Sequence, residues 1–250
     1  TGANGLDQTS TGTPSVYAFD NAVANQAGGA AWTEVLNTSS TNLTAGVPYR
    51  LFVRGDRNID LTSNASTPNN TVLRATGSLK TGTVSAGTLA QLSGQFSFFG
   101  NPYQAIVNVN DLSFTGDVNQ SFLYAWDANA NDNGAFVTVE LPAGTNAGSN
   151  PNVDNFLQPG QAVFIRNNQA GFTTAGTIDF TEASKSTTAT QLSPFSEPDY
   201  TIVDVSLFTV DGYEANQLPI DAIGLRFDDV FSNEVDDADA GKLANSAENL

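Results

Sequence analysis

The sequence predicts an all-β protein: an antiparallel β-sandwich or jelly roll, followed by the start of a second β-sandwich unit. Three observations carry that expectation. Apolar residues recur at every second position; the segments between them are short and rich in Gly, Pro, Asn, Ser and Thr; and almost no stretch shows a 3.6-residue helical period.

Taken in chain order, residues 1–13 are rich in Gly, Thr and Asn and read as a flexible N-terminal extension. Residues 14–193 are expected to form the main β-sandwich. Its clearest strand is Val47-Pro48-Tyr49-Arg50-Leu51-Phe52-Val53-Arg54, with apolar residues at 47, 49, 51 and 53 and charges at 50 and 54. That alternation predicts one buried and one wet face. Phe122, Tyr124 and Trp126 repeat the pattern, as do Val163 with Ile165 and Ile178 with Phe180. Further strands are expected at 71–75, 96–99, 105–109 and 135–140, with loops at 62–70, 127–134, 142–152 and 183–190. Residues 194–250 open with Pro194 and Pro198 and read as an incomplete second β unit. It offers strands at 201–209 and 221–227 and one short helix near 236–245, capped by Asp236 and Asp237. Two strands and a helix do not close a sandwich. The missing strands are therefore expected from further chain or from another molecule.

Composition narrows the function. The 250 residues carry 9 basic and 26 acidic groups, a net charge of −17, and only 14% are charged. A typical protein has about 25%; here 27 Thr and 26 Asn fill the gap. Residues 197–250 hold half of the acidic groups. There is no His, Cys or Met. That excludes Ser-His-Asp and Cys-His catalysis, the usual zinc and haem sites, and disulfides. Any metal would be held by oxygen, which points to Ca²⁺ or Mg²⁺. The few Lys and Arg are scattered, so the chain lacks a nucleic-acid footprint and does not suit anionic membranes. No apolar run approaches the length of a membrane span. With neither a leader pattern nor an initiator Met, the sequence is expected to be a processed product or a fragment.

Three stretches carry a resemblance: LTAGVPYRLFVRGDR (43–57); FSFFGNPYQAIVNVNDL (96–112) with FLYAWDANANDNGAFVTVE (122–140) and FLQPGQAVFIRN (156–167); and FDDVFSNEVDDADAGKLAN (227–245). Together they resemble the β-sandwich region of large secreted Bacteroidota surface proteins, upstream of a C-terminal type IX secretion sorting domain. The ordered pieces are a GNPY turn, a Tyr-x-Trp-Asp strand end and a Pro-Gly-Gln strand start, and the likeness spans about half the chain. It implies an extracellular, adhesin-like or structural location; such proteins normally continue past the third stretch. Independently of that likeness, Gly100-Asn101-Pro102-Tyr103 supplies a turn that Phe96, Phe98, Phe99 and Tyr103 would anchor to the core.

Several residues are candidate sites. Asp127, Asn129, Asn131 and Asp132, closed by Gly134, place oxygen side chains at alternate positions like a Ca²⁺ loop, but the twelfth position is Thr138 and supplies no bidentate Glu. The competing reading is a plain Asn-Asp-Asn-Gly turn. A second cluster comprises Asp228, Asp229, Glu234, Asp236, Asp237 and Asp239, which a cation would neutralise; the competing reading is a solvated loop with a helix cap. Arg54-Gly55-Asp56 matches an integrin tripeptide and reads as a turn. Trp32 and Tyr17 are candidate sugar-stacking residues, whereas Trp126, sharing a strand face with Phe122 and Tyr124, is expected in the core. Asp179 and Glu182 are the sort of carboxylates a glycosidase needs, without anything to pair them. Five sequons, at Asn37, Asn42, Asn64, Asn69 and Asn119, arise readily at this Asn and Thr content.

The expectation is an extracellular structural or adhesive protein and not an enzyme, whose partners are other copies of itself or other cell-surface proteins. Open strand edges in the second unit would recruit strands between copies, giving a filament or layer. No cofactor is required, although Ca²⁺ fits the acidic loops. The alternative is a carbohydrate-binding module of a larger secreted protein, with Ca²⁺ as its candidate cofactor.

Overall fold

Fourteen strands and one five-residue α-helix make up most of the regular structure of the described residues, and every strand pairing is antiparallel. The computed structural model describes residues 14–189 and 201–227, apart from positions 39, 54, 56, 57, 59, 61, 62, 64–66, 68, 70–72, 74, 75, 129, 131–133, 147–149, 151 and 216–218. The expected extension 1–13, the helix near 236–245 and all but one position of the expected strand 71–75 lie outside the described residues.

The strands are β1 (Val16–Phe19), β2 (Trp32–Glu34), β3 (Tyr49–Leu51), β4 (Val84–Ser85), β5 (Phe96–Gly100), β6 (Val107–Asn108) and β7 (Ser113–Thr115), then β8 (Val118–Asp127), β9 (Ala135–Glu140), β10 (Phe156–Leu157), β11 (Ala162–Asn167) and β12 (Thr177–Phe180). A separate ribbon follows, β13 (Thr201–Leu207) and β14 (Asp221–Phe227), with the helix α1 (Val210–Glu214) between its strands. Thr209 starts α1 by accepting a hydrogen bond from Gly212 N at 3.0 Å.

The core is built on a four-stranded sheet ordered β5-β11-β8-β9. One face carries Phe99, Leu123, Ala125, Val137, Val139, Val163 and Ile165. These pack with Ile178 and Phe180 of the sheet β4-β12-β7, with Val107 and Leu157 of the pair β10-β6, and with Tyr103. That pairing is the expected sandwich. The other face carries Phe96, Phe98, Phe122, Tyr124, Phe136 and Phe164, and it is not wet. Phe19 and Trp32 of the sheet β2-β1-β3 pack onto it. The middle sheet is thus covered on both sides, which accounts for near-continuous apolar runs such as Phe122-Leu123-Tyr124-Ala125-Trp126.

The expected strand around 47–54 is corrected in two ways. Only Tyr49–Leu51 is a strand, and of the residues expected on its buried face only Tyr49 is half-buried, while Arg50 is exposed as expected. Arg50 shares a face with Tyr17, Phe19 and Trp32, and its guanidinium lies 5.7 Å from the Trp32 ring centroid. Val47, Leu51, Phe52 and Val53 are exposed. Alternation shows that a strand has two faces. It does not show which face another layer will cover, and here the aromatic side of the small sheet is taken.

The Gly100–Tyr103 turn forms as expected, with Asn101 at its centre. Its Nδ2 donates to the carbonyls of Ala105, Leu157 and Gln158 at 2.8–3.2 Å, and its Oδ1 accepts from Tyr103 N at 2.9 Å. Tyr103 is fully buried and donates its hydroxyl to Gly82 O at 2.5 Å. Burial, and then the negative charge of Glu182, push the Tyr103 hydroxyl pKa up. Lys185 bridges the two: Nζ is 4.2 Å from the Tyr103 ring centroid and 2.7 Å from Glu182 Oε2. The bond from Lys185, with one from Gly82 N at 2.6 Å, holds Glu182 below its usual pKa. The Glu182 carboxylate is therefore a fastening for the 80–84 segment. Asp179 sits in β12 opposite Ser85 and Ser113.

Asp117 ties the β7–β8 turn to the loop before β12. One carboxylate oxygen accepts from Thr173 N (2.6 Å), Thr173 Oγ1 (2.8 Å) and Thr174 N (2.9 Å). Bonds from the backbone, and then from the Thr173 hydroxyl, lower its pKa. A carboxylate with a lowered folded pKa contributes stability that is present above its unfolded pKa, about 3.9, and lost as pH falls through the folded value. Asp117→Ala is predicted to lower the urea midpoint at pH 7, and the gap from wild type is predicted to shrink as pH falls below about 4. A gap that stays constant down to pH 2–3 (about one unit below the ordinary carboxylate pKa) contradicts this role.

Candidate functional site

Three features of the described residues bear on function: the two tryptophans, the end of β8, and the β13–β14 ribbon. Trp32 lies opposite Phe19 in the β1–β2 register, and its ring sits edge-on to Phe19 (4.9 Å), Phe98 (5.8 Å) and Phe164 (6.2 Å). Arg50 lies over it. Its ring is engaged in packing, and the residue is half-buried. Tyr17 is half-buried on the same face, opposite Glu34 on one side and Arg50 on the other.

Trp126 reverses the sequence expectation. Alternation with Phe122 and Tyr124 assigns it to the core, and it does share their face, yet it is 41% exposed. The reason lies in the covering layer. Phe19 and Trp32 pack against Phe98 and Phe164, whereas Trp126 touches Phe136 edge-on at 5.0 Å, further along the sheet. Gly134 lies flat against its ring; a Cβ there would sit 2.6 Å from Trp126 Cζ2, and φ is +76°. Only glycine meets both conditions.

Asp127 ends β8 on the core face and is fully buried, with Oδ1 accepting from Asn150 Nδ2 at 3.1 Å. Asn150 is itself buried, and its carbonyl and that of Val153 accept from Asn146 Nδ2 at 2.7 Å each. Asp127 therefore fastens Asn150, which Asn146 in turn links to Val153. Its proposed companions Asn129, Asn131 and Asp132 lie outside the described residues, as do Asp236, Asp237 and Asp239 and the flanks Arg54 and Asp56 of the RGD tripeptide. Among the described residues, no three acidic side chains come together as a metal-binding group. Asp154 is half-buried; burial raises its pKa, opposed by a hydrogen bond from Phe156 N at 2.7 Å.

The ribbon is the feature least used by the rest of the fold. β13 and β14 pair over seven residues, Val205 opposite Ile223, and among the described residues neither pairs with any other strand. Val203, Val205 and Ile223 lie on one face, exposed by 44%, 41% and 38%. No protein-family model matches this chain, and neither a curated protein nor a solved structure matches it.

The tryptophan placement is checked by acrylamide quenching. The Trp32→Phe variant, retaining Trp126, is predicted to quench more steeply than Trp126→Phe, retaining Trp32. Equal or reversed slopes contradict the assignment.

Proposed function

We propose that this chain is a non-catalytic structural or adhesive protein of the bacterial cell exterior, of the Bacteroidota type IX-secreted kind, and that it assembles with copies of itself through the β13–β14 ribbon. The observation that carries the reading is the ribbon itself. A two-stranded ribbon is marginal alone in water, and this one leaves an apolar face and two edges without a partner among the described residues. The face is self-complementary: its described exposed side chains, Val203, Val205 and Ile223, are branched aliphatics drawn from both strands. Two ribbons packed face to face, about 10 Å apart, bury that surface without any new recognition element. The extracellular setting is supported by the resemblance of the ordered sequence pieces and by an acidic, lysine-poor composition that favours solubility.

A net charge of −17 opposes self-association at long range. Added salt screens that repulsion, so assembly is predicted to strengthen as ionic strength rises. In sedimentation velocity, wild type is predicted to form larger species with rising concentration, and Val203→Lys/Ile223→Lys to remain monomeric. A wild-type monomer at every concentration and salt level overturns the reading, as does unchanged assembly by the variant.

A carbohydrate-binding role is the second reading, and the exposure of Trp126 is the observation that favours it. A soluble polysaccharide that shields Trp126 from acrylamide in the Trp32→Phe protein supports it; unchanged quenching across common glycans removes it.

A further inference from the structure

β5 is an edge strand of the central sheet, paired on one side with β11. Its other side is covered by two side chains in place of a strand. Asn21 donates through Nδ2 to Phe98 O at 3.0 Å and accepts at Oδ1 from Phe98 N at 2.7 Å. Gln26 does the same two residues away, donating to Phe96 O at 2.7 Å and accepting from Phe96 N at 3.0 Å. Each carboxamide exchanges both bonds with one residue, the pattern that a strand makes at a hydrogen-bonded antiparallel pair. The mimicry extends further: Asn21 Nδ2 also donates to Thr88 O at 3.0 Å, and Gln95 Nε2 donates to Val23 O and Ala24 O at 3.2 and 2.5 Å.

The segment supplying these groups, residues 20–31, joins β1 to β2. Asp20, Ala22, Ala24, Asn25 and Ala27 are exposed, and Val23 is half-buried. Polar bonds therefore hold the segment down with little apolar burial, and such bonds exchange with water at small net cost. Beneath it lies Phe96-Ser97-Phe98-Phe99-Gly100, which is apolar, uncharged and of high strand propensity, the kind of edge that recruits another strand.

We propose that residues 20–31 are a strap that closes the β5 edge, and that its release opens this edge to β5 of a second copy. Antiparallel pairing about Phe98 is isologous. Phe98 meets Phe98 where Asn21 now sits, and Phe96 of each copy faces Gly100 of the other, a ring against a position without a side chain. The two central sheets become one. This surface is distinct from the β13–β14 ribbon and does not depend on it.

The test uses the Val203→Lys/Ile223→Lys background, which silences the ribbon. Two strap variants are made in it. Asn21→Ala/Gln26→Ala removes the amides. The second replaces residues 21–30 with Asn-Gly, a hairpin turn between Asp20 and Ala31, whose backbones are already bonded (Asp20 N to Ala31 O, 2.8 Å). Amide hydrogen exchange at Phe96 and Phe98 is followed with sedimentation velocity in about 0.15 M salt, where the Debye length is about 8 Å. Slow exchange at Ile165, buried in β11, verifies that the sheet is intact. In dilute variant, the Phe96 and Phe98 amides are expected to exchange about tenfold faster or more than with the strap in place. At high concentration a dimer is expected and their protection returns. The proposal is overturned if both amides stay protected in dilute variant, if exchange is fast but the variants remain monomeric, or if a dimer forms with these amides still fast. Loss of protection at Ile165 in one variant leaves the other to decide, and loss in both overturns the strap as a separable element.

Discussion

Phe164 stacks on Phe98 with ring centroids 4.3 Å apart and planes 14° from parallel, on the side of the central sheet that a two-layer sandwich leaves to water. Phe19 meets the Phe164 ring edge-on at 5.0 Å and Phe136 does so at 5.2 Å, with Trp32 and Phe96 further out. Such edge and stacked contacts contribute about 0.5–1.5 kcal/mol each beyond the area they bury. The two-sided burial of one sheet depends on this cluster. Without it, the sheet β2-β1-β3 would lose its main apolar contact with the body, and the strap at 20–31 would lose its anchor at both ends.

The same arrangement accounts for an unusual composition. A sheet covered on both faces brings several loops into apolar surroundings, where backbone groups need partners other than water. Asparagine supplies them. Asn101 and Asn21 each donate to more than one carbonyl, as does Asn167, which reaches Ala90 O and Leu92 O at 2.9 Å each. A carboxamide carries the donors and acceptor of a peptide group with no charge, so it can enter the interior at lower cost than Asp or Lys. The abundance of Asn and the scarcity of charge are therefore two sides of one structural solution.

Much of the β architecture was legible in the sequence, because period-two alternation marks strands wherever it is long. β5, β8, β9, β11, β12, β13 and β14 all fall on segments read that way, and the Gly100–Tyr103 turn behaves as its residues imply. The misreadings share one cause: alternation carries no information about layers. It assigned Leu51 and Val53 inward, and it placed Trp126 in the core, because the position of a third layer is set by tertiary contacts. The short strands β2, β4, β7 and β10 are too brief to show a period, and β1, Val16-Tyr17-Ala18-Phe19, is apolar throughout. The helix α1 was missed because a single Thr209 cap before five residues is a weak signal. The strap was invisible for a different reason. Asn21 and Gln26 look like any polar loop residues until β5 lies beside them.

Two-sided burial of the central sheet is the claim on which the rest stands, and urea unfolding of Phe164→Ala in the Trp126→Phe background tests it most directly. Far-UV circular dichroism then reports the sheets as a whole, and the remaining tryptophan, Trp32, reports the covering layer. The account predicts a loss of about 3–5 kcal/mol, the range for removing a buried aromatic ring, with the two probes melting together as one cooperative unit. A loss below about 1 kcal/mol, the range of surface substitutions, would contradict the account. So would an unsubstituted Phe164 parent in which Trp32 fluorescence melts well before the sheet signal.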